Sequence, residues 1–261
     1  MPPMQTTGNT ILVTGGTSGI GRALAESFYK LGNQVIVAGR RKALLDEVTA
    51  ANSGMASVAL DVQDIDSLVP FAADIARQFP SLNVLINNAG IMKTENLTDG
   101  SDNAESIDSI VEINLLAPLH FTTALLPHLK QQPHAAVITV TSGLAFLPLA
   151  TTPTYCATKA AIHSWTQSLR YQLRNTNVEI LELVPPYVQT ELLGPHQAQD
   201  PRAMPLADFI AEVIDILKTQ PHAKEILVER VKPLRFAEEK GHAAYEEFFT
   251  TFNDSMHPEL H

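Results

Sequence analysis

The chain has 261 residues, with 18 basic and 28 acidic side chains and a formal net charge of −10. Its length fits one large α/β domain at roughly 100–200 residues per domain, and its 45% hydrophobic content suffices for a sizeable core. The acidic balance excludes general nucleic-acid backbone binding, which needs clustered Lys and Arg, and average Gly and Pro usage excludes collagen-like and low-complexity chains.

Thr10–Thr14 is short, β-branched and followed by glycines, so it reads as a buried strand. From Ser18 to Leu31, Ile20, Ala23, Leu24, Phe28 and Leu31 fall at helical spacing, with Gly32 as the stop. A second strand is expected over Gln34–Ala38, a helix over Lys42–Ala50, a third strand over Ala56–Leu60 and a helix over Ile65–Phe79. Val84–Ile86 reads as a fourth strand. A long helical stretch then runs from about 104 to 131, which Pro118 and Pro127 must bend or break. There follow a strand at Ala136–Val140, a helix at Thr154–Arg174, a strand at Val178–Val184, a helix at Leu206–Lys218 and a last strand at Ile226–Val228. The tail over 234–261 carries Phe236, Tyr245, Phe248, Phe249 and Phe252 between acids, and reads as a terminal helix packing on the domain or on a partner subunit.

Alternating strands and helices imply an α/β fold: a Rossmann-type, doubly wound parallel sheet of about seven strands with helices on both faces. Continuous apolar strands fit burial on both sides. No internal repeat or linker divides the chain, so residues 1–261 form a single domain. The lone cysteine, Cys156, has no disulfide partner, which points to a reducing compartment. No run approaches the ~20 apolar residues of a membrane span. The start Met1-Pro2-Pro3-Met4-Gln5 lacks the basic and apolar regions of a secretory signal. The expected location is cytoplasmic, without membrane or nucleic-acid partners. The nine histidines show no metal-ligand spacing, and His257 and His261 lie in the tail.

Thr14-Gly15-Gly16-Thr17-Ser18-Gly19-Ile20-Gly21 joins the first strand to the first helix. Glycines there let the backbone turn tightly and approach a pyrophosphate, and the helix N-terminus offers N–H groups and partial positive charge. Gly15, Thr17, Ser18, Gly19, Ile20 and Gly21 are therefore candidate cofactor contacts. The second strand ends in Gly39-Arg40-Arg41. No acid is present to take a ribose 2′-hydroxyl, whereas guanidinium groups suit a 2′-phosphate. NADP(H) is favoured over NAD(H), with Arg40 and Arg41 as contacts. Asp61, followed by Val62, ends the third strand and is positioned for the adenine amino group.

Tyr155 and Lys159 stand at i and i+4, on one helical face. Ser142 follows the strand Ala136–Val140, and open α/β sheets bind ligands at strand carboxyl ends. In order and spacing, the glycine turn, Asn87-Asn88-Ala89-Gly90, Asn114, Ser142 and Tyr155-x-x-x-Lys159 resemble the short-chain dehydrogenase/reductase family over residues 8–230. The resemblance implies that Tyr155 is general acid in carbonyl reduction and base in alcohol oxidation. It implies that Lys159 favours the phenolate and holds the nicotinamide ribose, and that Ser142 positions the substrate oxygen. It also implies that Asn114 holds a relay water. Asn88, Ala89 and Gly90 would line the cofactor side, and Pro185, Val188 and Thr190 would reach the nicotinamide carboxamide. One departure is Pro186, where the family commonly has glycine.

Leu144, Phe146, Tyr187 and Leu192, the latter two in the substrate-covering segment 186–205, suggest an apolar pocket for a ketone, aldehyde or secondary alcohol. Other readings are a non-catalytic dinucleotide-binding sensor or scaffold, and an epimerase or dehydratase of related fold. The resemblance also implies a homodimer or homotetramer built on the helices at 104–131 and 154–174.

Overall fold

A computed structural model of the chain describes residues 3–98 and 103–256. The elements are β1 (Thr10–Thr14), α1 (Gly19–Lys30), β2 (Gln34–Gly39), α2 (Lys42–Ala51), β3 (Ala56–Ala59), α3 (Ile65–Gln78) and β4 (Leu82–Asn87). They continue with α4 (Ala104–Val111), α5 (Ala117–Leu129), β5 (Ala135–Val140), α6 (Pro153–Gln172) and β6 (Val178–Val184). The chain ends in α7 (Leu206–Thr219), β7 (Glu225–Leu227), the short α8 (Lys232–Arg235) and α9 (His242–Met256). The end of the tail, with His257 and His261, lies outside the described residues.

The strands form one parallel seven-stranded sheet in the order β3-β2-β1-β4-β5-β6-β7. Strand side chains alternate between faces, and both faces are apolar. Ile11, Val13, Val35, Val37, Val84 and Ile86 pack toward α1, α2 and α7. Leu12, Ile36, Leu85, Val137 and Ile180 pack toward α3, α5 and α6.

Pro118 and Pro127 do not break the long helix. It runs from Ala104 to Leu129 with a π-helical turn at Glu112–Leu116 between α4 and α5. Pro118 has no N–H for the carbonyl four residues earlier, that of Asn114, and its ring crowds that position. The wider turn ends on a bond from Ala117 N to Glu112 O, five residues back, which accommodates the proline without ending the helix. By length and mean hydropathy (1.4) this stretch could cross a membrane, but Ala117, Phe121, Leu125 and Leu129 are buried against the sheet and α3. Pro127 sits inside α5.

The Phe121 ring is 1% exposed and its centroid lies 5.7 Å from that of Phe71 on α3. Phe121→Ala leaves a cavity between α5, α3 and the sheet. It is expected to lower unfolding free energy by about 3–5 kcal/mol, read as a shift in the urea midpoint at unchanged m-value.

Candidate active site

β1 delivers Thr14 to the carboxyl edge of the sheet, and the chain turns there into α1. Gly15 and Gly19 adopt positive φ (64° and 51°), a region that glycine enters without steric cost. A Cβ on Gly21 would overlap Asn88 Nδ2 and Gly15 O, so Gly21 is fixed by close packing. α1 opens with no side-chain cap and no acid in its first turn. Its leading N–H groups are therefore available to an anion, which is what a dinucleotide pyrophosphate requires.

Asn88 serves the turn. Its Nδ2 donates to Thr14 O (3.0 Å) and Gly15 O (3.2 Å), so its side chain braces the cofactor-side backbone. Ala89 lines the adjoining cleft, and a Cβ on Gly90 would crowd Asn114 Oδ1 at 3.3 Å. At the outer end, Arg40 and Arg41 are both exposed where β2 meets α2. Arg40 Nη1 lies 3.9 Å from Asp61 Oδ2 across the ends of β2 and β3. The three residues proposed from sequence for the adenosine end thus lie at one sheet corner.

Ser142 follows β5 directly and caps a 3₁₀ turn at Gly143–Ala145, its Oγ accepting from Leu144 N (3.1 Å). The same hydroxyl acts on the Tyr155 phenol, favouring its ionised form. Tyr155 and Lys159 are both buried, at 6% and 5% exposure, and Lys159 Nζ lies 5.5 Å from the Tyr155 ring centroid. Nζ donates to Val140 O (2.9 Å), which leaves two of its three donors for other partners. Burial pushes the Tyr155 phenol above its ordinary range, against the pull of Ser142. Burial lowers Lys159 to about 8, and the Glu182 carboxylate opposes that fall. α6 is held by Glu95, whose carboxylate accepts from Thr154 N (2.9 Å) and Thr154 Oγ1 (2.8 Å) at the helix N-terminus, the end that favours negative charge.

Asn114 lies in the π-helical turn, 2% exposed. Its Oδ1 accepts from Ile91 N (2.9 Å), and its Nδ2 donates to Ile91 O (2.8 Å) and Thr158 Oγ1 (3.4 Å). The side chain thus ties the loop after β4 to α6. A cleft runs past Thr14, Ala89, Asn114, Thr139, Val140 and Lys159. On its wall, Thr139 Oγ1 is buried without a hydrogen-bond partner.

On the far side of Tyr155, Met92, Leu144, Leu149, Phe252 and Met256 pack around Tyr155 and Cys156. Phe252 and Met256 come from α9. Asn253 pins that helix, with Oδ1 accepting from Ala150 N (2.6 Å) and Nδ2 donating to Pro148 O (3.2 Å). The tail therefore packs on its own domain beside the site. Among the sequence-selected apolar residues, Leu144 joins this group. Phe146 does not: its ring lies 4.6 Å from His163 and 4.4 Å from the Arg235 guanidinium, on the core side. Tyr187 donates its hydroxyl to Asp200 (3.2 Å), and Leu192 is exposed. Pro185 and Val188 are buried, and the Thr190 methyl would sit 3.5 Å from a Cβ on Gly19. That places the segment after β6 over the glycine turn. Burial raises the Cys156 thiol above its ordinary value, so it behaves as a small apolar side chain.

Sequence reasoning gave no role to Glu95, Gln197 or the group His163, Glu182 and Glu225. The last three bring ligand atoms within 4.8 Å of one another. Two basic side chains already hold the acids: Arg235 grips Glu225 through two nitrogens (2.7 and 3.0 Å), and His163 Nδ1 bonds Glu182. A signal was present in the sequence as two acids, Glu179 and Glu182, inside a strand whose other residues are all apolar.

The sequence pattern of the short chain dehydrogenase family matches residues 9–201. The uncharacterized oxidoreductase DltE of Bacillus subtilis (strain 168) is 40% identical over 253 residues, covering 96% of this chain and 98% of that protein. A short chain dehydrogenase from Burkholderia cenocepacia J2315, solved in complex with NADP, superposes with a TM-score of 0.74 at 24% identity, covering 98% of this chain and 99% of that one. A short chain dehydrogenase/reductase from Burkholderia phymatum, solved in complex with NAD, gives 0.76 at 22% identity, covering 91% and 95%. By motif, by length and by fold, the chain belongs to the short chain dehydrogenase family.

Proposed function

We propose that the protein is an NADP(H)-dependent oxidoreductase of carbonyl-reductase type, acting between a ketone or aldehyde and the corresponding alcohol. The observation that carries this reading is the meeting of the Tyr155 phenol, Ser142 hydroxyl and Lys159 ammonium at the carboxyl end of β5, beside the glycine turn. The uncapped α1 N-terminus fits the pyrophosphate, and exposed Arg40 and Arg41 fit a 2′-phosphate. The nicotinamide, when bound, supplies or accepts the hydride.

The chain's own residues do the rest. Ser142 Oγ hydrogen-bonds the substrate oxygen and sets its distance from Tyr155. Tyr155, kept protonated by burial, gives its phenolic proton to that oxygen as negative charge develops there. The Lys159 ammonium stabilises the phenolate left behind and offers its two remaining donors to the ribose hydroxyls. Reprotonation follows the cleft, where the unpartnered Thr139 hydroxyl and the Asn114 carbonyl, which receives no N–H from Pro118, would hold water. The apolar wall of Met92, Leu144, Leu149, Phe252 and Met256 excludes water and suits a substrate of modest polarity. Exposed Leu116 and Tyr171, on the long helix and α6, support a homodimer or homotetramer built on those helices.

Tyr155→Phe is expected to lower kcat by ~10²–10⁴ while NADPH still binds, read by quenching of cofactor fluorescence. Retained turnover would sink the assignment. Arg40→Ser should raise KM for NADPH about 10- to 100-fold, the loss of one charged hydrogen bond, and leave KM for NADH unchanged. The Lys159 ammonium is charged below about pH 8 and loses its charge above it. NADPH-driven reduction should therefore run level at lower pH and fall as the pH rises through about 8, which a stopped-assay pH series on kcat checks.

A further inference from the structure

Glu182 is a carboxylate inside a buried strand, and none of its side chain is exposed. In register it lies beside Thr139 of β5. Strand side chains alternate, so Thr139, Thr141 and Glu182 share the sheet face that α6 covers, with Val137 and Ile180. Thr141 Oγ1 donates to Glu182 Oε1 (2.8 Å), and His163 Nδ1 donates to both carboxylate oxygens (2.9 Å each).

Gln167 Nε2 lies 2.9 Å from His163 Nε2. The ring is thus held between Gln167 and Glu182. The neighbouring cations have other partners. Arg235, on α8, is bidentate on Glu225 of β7, and Arg170, on α6, donates to the carbonyls of Ile180 and Lys224. Tyr155, one turn before Lys159 on α6, is a neutral phenol. Among the described residues, the remaining buried cation in this layer is Lys159, one helical turn before His163, whose Nζ bonds the carbonyl of Val140, the residue before Thr141. An ammonium or carboxylate buried alone is costly. Placed in one layer, the two offset each other.

We infer that Glu182, held by Thr141 and His163, is a positioning residue for the reaction: its carboxylate is the counter-charge that keeps the Lys159 ammonium charged and seated beside Tyr155. The inference rests on the catalytic role of Lys159 proposed above. It also accounts for the field of Glu182 opposing proton loss from Lys159.

The test is an NMR titration of full-length protein carrying 13Cε-labelled lysine, without cofactor or substrate, with the Lys159 signal identified by its loss in Lys159→Met. The native midpoint is expected near 8. Glu182→Gln keeps the shape and removes the charge. It should lower the midpoint by about one unit, an about threefold smaller charged fraction at pH 7.5. Glu182→Asp keeps the charge and alters the shape, and should leave the midpoint in place. A folded Glu182→Gln with the native midpoint overturns the inference. So does Glu182→Asp with a lowered midpoint, and that variant alone decides the matter if Glu182→Gln does not fold. Turnover should follow, with the alkaline fall of kcat moving to lower pH in Glu182→Gln. Because the titration needs no substrate, failure of the proposed reaction shows separately, as absent turnover with the Lys159 titration intact.

Discussion

Thr14 Oγ1 donates to the Ile86 carbonyl (3.3 Å) and accepts from the N–H groups of Asn88 (3.0 Å) and Ala89 (3.1 Å). The ends of β1 and β4 therefore cannot separate. These strands are neighbours at the centre of the sheet, where the order reverses from β3-β2-β1 to β4-β5-β6-β7. The helix after β1 lies on one face, and the helices after β4 lie on the other. The connections leave in opposite directions and open a crevice at the carboxyl edge, the place where open parallel sheets bind ligands. The glycine turn lies on one side of this crevice and the Asn114 loop on the other. A single hydroxyl and the Asn88 amide fix the distance between them.

Across the crevice, the site depends on burying ionisable groups that water would otherwise solvate. Tyr155 and Lys159 lie on one face of α6 because they are four residues apart. That helix is set by Pro153 at its first position and by Glu95 at its N-terminus. Burial drives the phenol toward its protonated form and the ammonium toward its neutral one. The Glu182 carboxylate of β6 opposes the second effect, so the geometry of the sheet sets the electrostatics of the helix.

The succession of strands and helices was legible because buried parallel strands are continuous apolar runs and their helices are amphipathic. Val84–Ile86 was read short: β4 extends from Leu82 to Asn87, since Asn83 bonds neighbouring backbone at Thr10 N and His134 O and Asn87 bonds Thr122 on α5, pairings with no local sequence signal. The prolines at 118 and 127 pointed to a break, whereas the helix absorbs the first as a π-helical turn, a choice made by packing on the sheet. Tyr155, Lys159, Ser142 and the glycines were legible because their chemistry depends on short spacings. Phe146 and Leu144 look equivalent in sequence, yet the 3₁₀ turn at 143–145 sends one ring to Arg235 and the other side chain to Tyr155. Glu182, His163 and Glu225 could not be joined from sequence, because β6, α6 and β7 meet only in the fold.

The double proline after β6 shows how the segment that follows it is held. Pro186 offers no N–H, but Pro185 O already accepts from Gly143 N (2.9 Å), and the following residues find partners beyond the strand. Gln197, 4% exposed, donates to Val188 O (2.8 Å) and Thr190 Oγ1 (3.0 Å) and accepts from Leu193 N (2.8 Å). Gln189 N and Met204 N bond the Met204 and Tyr187 carbonyls (2.8 Å each), and Asp200 joins Tyr187 to Arg202. Arg202 and Tyr187 hydrogen-bond Asp200 and hold its carboxyl down to about 2, so that junction persists through the neutral range. A segment tied at this many points is ordered by its own bonds. Asn253 fixes α9 in the same way, its side-chain amide bonding the backbone of Ala150 and Pro148, and so holds Phe252 and Met256 beside Tyr155.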